Sequence, residues 1–503
     1  MSKLNKDILY LIFEEFQDDL KSLFSCLMVN KSWCKTAVPV LWRNPWSYKG
    51  NNYRIKSSLF TIIVYYLFDS IKEFITSKVI QLPSISNKSL SFDYLSYCRS
   101  INVITINRIT SIGSTSAYDQ FFIQEEFYLL LMRKCPELRY LDMRSIKHQL
   151  FYFPEAKTRF ESLCELKCDT SIDSSYFYGL SRCCKNIQVL IITNKVIIPN
   201  HGLVKLIEVQ ENLKHFETND DLFEDYIIDD DEDDDPYVGI LLALEKNAEN
   251  INCLKVSFQE LDDYQHLLFP NILLKFYNLK ELVIGGDISF NNDQLNKLKM
   301  VVYKKLEIIK IDYNESINKL DFISSIVENG GECLKKILFK PNYDAREFND
   351  YSLNFIRKIY QNCPLIEYLS ISFSPTTEQF SEFEKLLKIC KNLKSLLIVI
   401  HNSGKVETQR KFLKNGDNLL KLLIRSAPTN LREIRFYDDF KFSLPNLETF
   451  FKNWSGRPAL SLTTNDPIYE GIQYKELINK YKSSGVIKDF KYVVFRGGVD
   501  YRL

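Results

Sequence analysis

The side chains that could support chemistry are few, and their spacing suits little of it. Cys164 and Cys168 stand four residues apart and Cys183 adjoins Cys184, which raises a thiolate zinc site. A structural zinc needs a second ligand pair at finger-like spacing. None follows, and the chain has only five histidines. The twelve cysteines therefore read as buried apolar thiols, with no metal expected. An acidic block, "DDDEDDD" at 229–235, lacks the central glycine and terminal glutamate of a calcium-binding EF-hand loop. Like charges packed so densely repel one another and stay solvated, so the block reads as a loop inserted between structured elements. A binding site for a basic partner is the sharper alternative. Gly-x-Ser-x-Gly, Gly-x-x-x-x-Gly-Lys, Gly-x-Gly-x-x-Gly and His-Glu-x-x-His are all missing. No cofactor is expected, and a non-catalytic role is.

Bulk properties narrow the partners. A net charge of +1 argues against broad electrostatic capture of nucleic acid. The longest early apolar run, "LFTIIVYYLF" at 59–68, is well short of the ~20 residues of a membrane span. Cysteines without an export signal suit a reducing compartment. The expectation is a cytoplasmic or nuclear protein that binds neither nucleic acid nor membrane.

The elements that must carry any function begin at once. Ile8, Leu9, Ile12, Phe13 and Phe16 follow the rhythm of one helical face. Asp18 or Asp19 can cap a second helix, with Leu20, Leu23, Phe24, Leu27 and Met28 as its apolar face. Asn30 can cap a third, which Pro39 should limit, since proline disfavours helix in the residue before it. Three helices in under 40 residues cannot bury all this apolar surface among themselves. The surplus packs on the rest of the chain or docks a partner.

Leu4, Asp7-Ile8-Leu9, Ile12-Phe13, Phe16, Asp19-Leu20, Leu23, Val29 and Trp33 resemble the F-box motif. "CLMVNKSWCKTAVPVLWRNPW" looks like the form found in large fungal F-box families. The resemblance covers residues 1–46, and Asn5 stands where that family usually has proline. It implies a three-helix unit that binds a Skp1-like adaptor and, through it, a cullin ubiquitin ligase. Leu4, Ile8, Leu9, Ile12 and Phe13 are the contacts it implies. Trp33 is assigned to holding the helices together.

Residues 47–130 read as a mostly helical junction, with 92–109 a short helix passing into a strand. From 131 onward a unit recurs: an apolar helical stretch, often Cys or Pro, then Leu-x-x-Leu-x-Leu. "CPELRYLDM", "CKNIQVLII", "CPLIEYLSI" and "CKNLKSLLI" are examples. The first Leu or Ile falls at 138, 163, 187, 251, 279, 306, 334, 366, 393 and 431. From 251 the successive differences are 28, 27, 28, 32, 27 and 38, in or near the 20–29 range of leucine-rich repeats. The fold class expected is α/β: a three-helix F-box, then an irregular leucine-rich-repeat solenoid over 131–503, with an acidic insertion at about 217–236. The polar residue after the strand falls on Asp287, Asn314, Asn342, His401 and Asp439, which gives His401 a turn role rather than a catalytic one.

If strands line a concave face, alternation exposes every second residue. That count puts Asp142, Arg144, Val283, Lys310, Asp312, Leu338, Lys340, Ser370, Ser372, Leu397, Val399, Arg435 and Tyr437 outward. Val283, Leu338, Leu397 and Val399 are apolar where solvent favours polar residues. With Arg435 and Tyr437 they form the expected docking strip for an unknown protein target. The competing expectation is that the C-terminal tail or an inter-repeat loop covers them. The function expected is a substrate-recognition adaptor of a Skp1–cullin–F-box ubiquitin ligase. The alternatives are a repeat scaffold with a degenerate F-box acting outside a ligase, and an enzyme in an unrecognised fold.

Overall fold

The computed structural model describes residues 5–17, 19–46, 56–67, 90–112, 114, 116–222, 237–259, 268–286, 288–311, 319–339, 348–400, 409–437 and 441–493. Leu4, Asp18, the acidic block and the proposed turn residues Asp287, Asn314, Asn342, His401 and Asp439 lie outside them. The chain divides into two compact units, Met1–Asn247 and Ala248–Leu503.

The first unit opens with helices α1 (Lys6–Glu14), α2 (Leu20–Leu27) and α3 (Lys31–Leu41). Each starts on a side-chain cap. The Asn5 carboxamide accepts from the Asp7 amide, Asp19 from the Ser22 amide at 3.1 Å, and Asn30 from the Trp33 amide at 3.0 Å. Such caps satisfy backbone donors that no helical carbonyl can reach. The Ser22 hydroxyl and amide also hold the Asp19 carboxyl below its ordinary value. Pro39 does not end α3 as expected. It sits inside the helix, which runs on to Leu41. Thr36, Ala37, Val38, Val40 and Leu41 are all buried, and that packing outweighs the hydrogen bond that proline forgoes.

A further helix, α4, spans 56–67. Parallel strands then alternate with helices. Strand β1 (Ser100–Asn102) is followed by α5 (Val103–Thr110) and α6 (Ala117–Lys134). Strands β2 (Tyr140–Asp142), β3 (Glu165–Asp169), β4 (Val189–Asn194) and β5 (His215–Asp220) come next. Helices α7 (Ala156–Phe160), α8 (Ser174–Ser181), α9 (His201–Glu208) and α10 (Val238–Glu245) intervene and follow. The strands pair in sequence order, and register stacks Ile101, Leu141, Leu166, Leu190 and Phe216 in one buried row.

Two expectations shift here. Pairing begins at Ser100, inside the region read as a junction, so the strand array starts well before residue 131. The insertion placed from about 217 begins too early, because β5 occupies 215–220. Its leading residue, Leu213, is fully buried and lies 26 residues after Ile187 (213 − 187), the spacing of a unit that pattern counting passed over.

The second unit repeats the theme. Its strands are β6 (Cys253–Phe258), β7 (Glu281–Gly286), β8 (Ile308–Ile311), β9 (Lys336–Phe339), β10 (Tyr368–Phe373), β11 (Ser395–Ile400), β12 (Glu433–Tyr437), β13 (Leu460–Thr464) and β14 (Ile487–Tyr492). Between them lie α11 (Leu268–Leu273), α12 (Asn292–Met300), α13 (Lys319–Gly330), α14 (Phe348–Asn362), α15 (Thr377–Ile389), α16 (Gln409–Ser426), α17 (Leu444–Trp454) and α18 (Ile472–Ser483). Leu254, Leu282, Ile309, Ile337, Leu369, Leu396, Ile434 and Leu462 share one register row, all buried.

One backbone device joins successive repeats. The carbonyl just before most strands, β1 to β4 and β6 to β11, accepts two consecutive amides of the next repeat. Arg139 O takes Cys164 N (3.0 Å) and Glu165 N (2.9 Å), and Glu307 O takes Lys335 N (2.9 Å) and Lys336 N (3.0 Å). A lone repeat leaves these groups and its apolar face unmatched, so stacking is obligatory. The architecture is α/β and consistent with a solenoid of repeats. All twelve cysteines are free thiols, most of them buried. Among the described residues no helix is long and apolar enough to cross a membrane.

Candidate partner-binding surface

The three N-terminal helices close around a small core of Leu9, Phe13, Leu23, Cys26, Ala37, Val40 and Leu41. Trp33 packs edge-on against Phe13, ring centroids 5.3 Å apart, which is the bracing role the sequence suggested. Arg43 ties the ends of the bundle. Its guanidinium donates to Glu14 Oε1 at 2.6 Å and to the Tyr10 hydroxyl.

This packing sorts the expected adaptor contacts. Leu9 and Phe13 are 2% and 0% exposed, so they belong to the bundle core and offer a partner nothing. Ile8 and Ile12 are 47% and 40% exposed. A step of one residue turns a helix by about 100°, so positions 8 and 12 face away when 9 and 13 face in. Leu11, 62% exposed and three residues from Ile8, completes the outward stripe. The end of α2 adds exposed Phe24, Met28 and Val29. Sequence reasoning missed Leu11, although its spacing from Ile8 was the available signal. Leu4 lies outside the described residues.

The bundle is fastened to the first strand through the Arg43 carbonyl and the Trp46 indole. Arg43 O accepts from Arg99 N (2.9 Å) and from the Ser100 hydroxyl (3.0 Å), while Arg99 O accepts Arg139 N (2.8 Å) and Tyr140 N (3.1 Å). The Trp46 indole N–H donates to Ser100 O at 2.8 Å. Residues 43–46 thus occupy the edge of β1, satisfying groups that an open strand would expose.

The expected target strip does not survive as an open surface. Leu397 and Val399 are 6% and 2% exposed, and their neighbours Ser370 and Ser372 are buried too. Strands β10 and β11 are covered on both faces, as an unbroken run such as "SLLIVI" suits. Val283 and Leu338 are half-buried. Arg435 lies on β12 in an ion pair with Glu433 at 2.8 Å, itself largely buried. Tyr437 closes the same strand, opposite Val399, and its side chain is not among those described. Asp142 is buried and paired with Arg144 at 2.7 Å. Among the described residues no group of three or more His, Cys, Asp or Glu side chains could hold a metal ion.

No family model matches the chain, and no curated protein matches it. A solved structure titled "Crystal structure of Rad7 and Elc1 complex in yeast" is similar at a TM-score of 0.38 and 12% identity. The match covers 87% of this chain and 91% of that one.

Proposed function

We propose that the protein is the substrate-recognition subunit of a cullin-type ubiquitin ligase, with the N-terminal bundle binding a Skp1-like adaptor. One observation carries the reading. The bundle has a complete internal core, yet it presents Ile8, Leu11 and Ile12 in a single outward stripe on α1 and leaves Phe24, Met28 and Val29 exposed on and just after α2. Stripes of this kind dock into apolar grooves, each buried aliphatic anchor contributing about 1.5–3 kcal/mol. The F-box resemblance of residues 1–46 supplies the identity of the groove.

The mechanism needs no catalytic group in this chain. Ubiquitin transfer is performed elsewhere in the ligase. The receptor raises the effective concentration of its target beside the transferring subunit. The bonds from Arg43 and Trp46 to Arg99 and Ser100 favour a fixed relation between the bundle and strand β1. The test is co-purification of a Skp1-like adaptor with the full chain. Retention in wild type and loss in an Ile8→Asp, Ile12→Asp double variant supports the reading. Equal retention in both sinks it.

A further inference from the structure

The whole-chain charge of +1 hides a strong separation. Residues 220–235 contain eleven Asp and Glu and no Lys or Arg, so the remaining sequence carries a net +12 (1 + 11). The expectation that nucleic acid is not a partner rested on the undivided sum.

The surplus concentrates on α16. That helix has five Lys and Arg against the one carboxylate of Asp417, a net +4, and no other described helix exceeds +2. Its exposed residues are Arg410, Lys411, Lys414, Asn418, Lys421 and Arg425. At about 100° per residue they fall within an arc of about 100°, a straight stripe about 22 Å long. The opposite side is committed to the repeat, with Leu419, Leu420, Leu422 and Leu423 buried. Asp417 is already engaged by the Ser443 amide at 3.0 Å and the Ser443 hydroxyl at 2.9 Å. On the flanking helices, Glu384 of α15 holds both Arg425 and Lys388, and Glu448 of α17 holds both Lys452 and Lys480. Each of those carboxylates is thus shared by two cations. Among the described residues Arg410, Lys414 and Lys421 have no ion-pair or hydrogen-bond partner. Helices α15 to α18 together carry eleven Lys and Arg against six Asp and Glu.

What the stripe lacks decides the partner. None of its exposed side chains is aliphatic or aromatic. A protein interface buries an apolar core, and a membrane-surface helix inserts an apolar face. Single-stranded nucleic acid stacks its bases on aromatic rings. Double-stranded RNA is recognised largely through its 2′-hydroxyls, and one amide with no hydroxyl is a poor set to read them. A DNA duplex needs only cations and polar groups aimed at its phosphates. The stripe is as long as about six phosphate steps of ~3.4 Å on one strand.

We infer that the outer face of α16 binds the phosphate backbone of double-stranded DNA, without reading its sequence, through Arg410, Lys411, Lys414 and Lys421. The inference goes beyond the adaptor reading and does not depend on it.

The experiment titrates the full chain into a fluorescein-labelled DNA duplex of about 20 bp and random sequence, with anisotropy read between about 50 and 200 mM salt. Four phosphate contacts predict a slope of log affinity on log salt near −3.6, about −0.9 for each. Lys414→Gln with Lys421→Gln should bring the slope to about −1.8 and weaken binding more than about tenfold at 0.1 M salt. Lys414→Arg with Lys421→Arg keeps both charges and should keep both slope and affinity, which separates lost charge from lost structure. A duplex that does not bind at about 50 mM salt, a slope unchanged in the Gln pair, or loss of binding in the Arg pair overturns the inference. So does tighter binding of double-stranded RNA, a poly-glutamate peptide or phosphatidylserine vesicles, any of which would assign the stripe to that other partner.

Discussion

At the scale of single residues, neighbouring positions on α1 carry opposite assignments, and they should respond oppositely. Phe13 is fully buried against Trp33, so Phe13→Ala removes core volume and should cost about 3–5 kcal/mol in the bundle. Ile12→Asp places a charge on exposed surface and should change stability by no more than about 0.5 kcal/mol. Denaturation followed by Trp fluorescence checks both, and similar losses would contradict the assignment. Periodicity alone could not separate them. Ile8, Leu9, Ile12 and Phe13 all fit one broad apolar face, and only the packing of α2 and α3 decides which half turns inward. The caps were legible because they depend on local chemistry: Asp19 and Asn30 lie where a side-chain acceptor meets free amides. Pro39 was misjudged because its cost is local while the burial that overrides it is tertiary.

Elements pack through close backbone approach and through ion pairs on their outer faces. Gly202, near the start of α9, lies against α8 so tightly that an added Cβ would sit 2.0 Å from Ser174 O. Backbone cannot swing aside as a side chain would. Gly202→Ala should therefore destabilise the first unit by about 1–3 kcal/mol, read as a lower denaturation midpoint. On the second unit, Glu384 of α15 grips Arg425 of α16 through two bonds, Oε1 at 3.1 Å and Oε2 at 2.5 Å, with Lys388 at 2.8 Å. The hydrogen bond from Arg425, then that from Lys388, hold the Glu384 carboxyl down to about 2 from its ordinary 4.5. A depressed carboxyl stabilises above its unfolded value, and that contribution is lost as pH falls from about 4.5 toward 2. Urea midpoints should thus fall more steeply over this window in wild type than in Glu384→Gln. Parallel pH curves would show that the grip adds nothing. The strands were largely legible at this scale: Leu138, Leu163, Ile187, Ile251, Leu279, Leu306, Leu334, Ile366, Leu393 and Leu431 are all buried where the repeat count put them. The unit at Leu213 escaped because Phe216 replaces the expected aliphatic and an acidic stretch follows. The outward strip at Leu397 and Val399 failed because alternation presumes one solvated face, and β11 has none.

For the whole molecule, the central claim is division of labour. A small bundle with its own core offers an apolar stripe, and on the proposed reading the stacked repeats hold the target. In this proposal the chain itself performs no reaction. The most direct measurement is co-purification of the full chain with a Skp1-like adaptor, wild type against Ile8→Asp, Ile12→Asp, with melting curves on both. Two unpaired carboxylates in an apolar interface cost several kcal/mol, enough to abolish capture. The account predicts a one-to-one complex with wild type and none with the folded double variant. A folded double variant that captures the adaptor as well as wild type, or a wild-type chain that captures none, would contradict it.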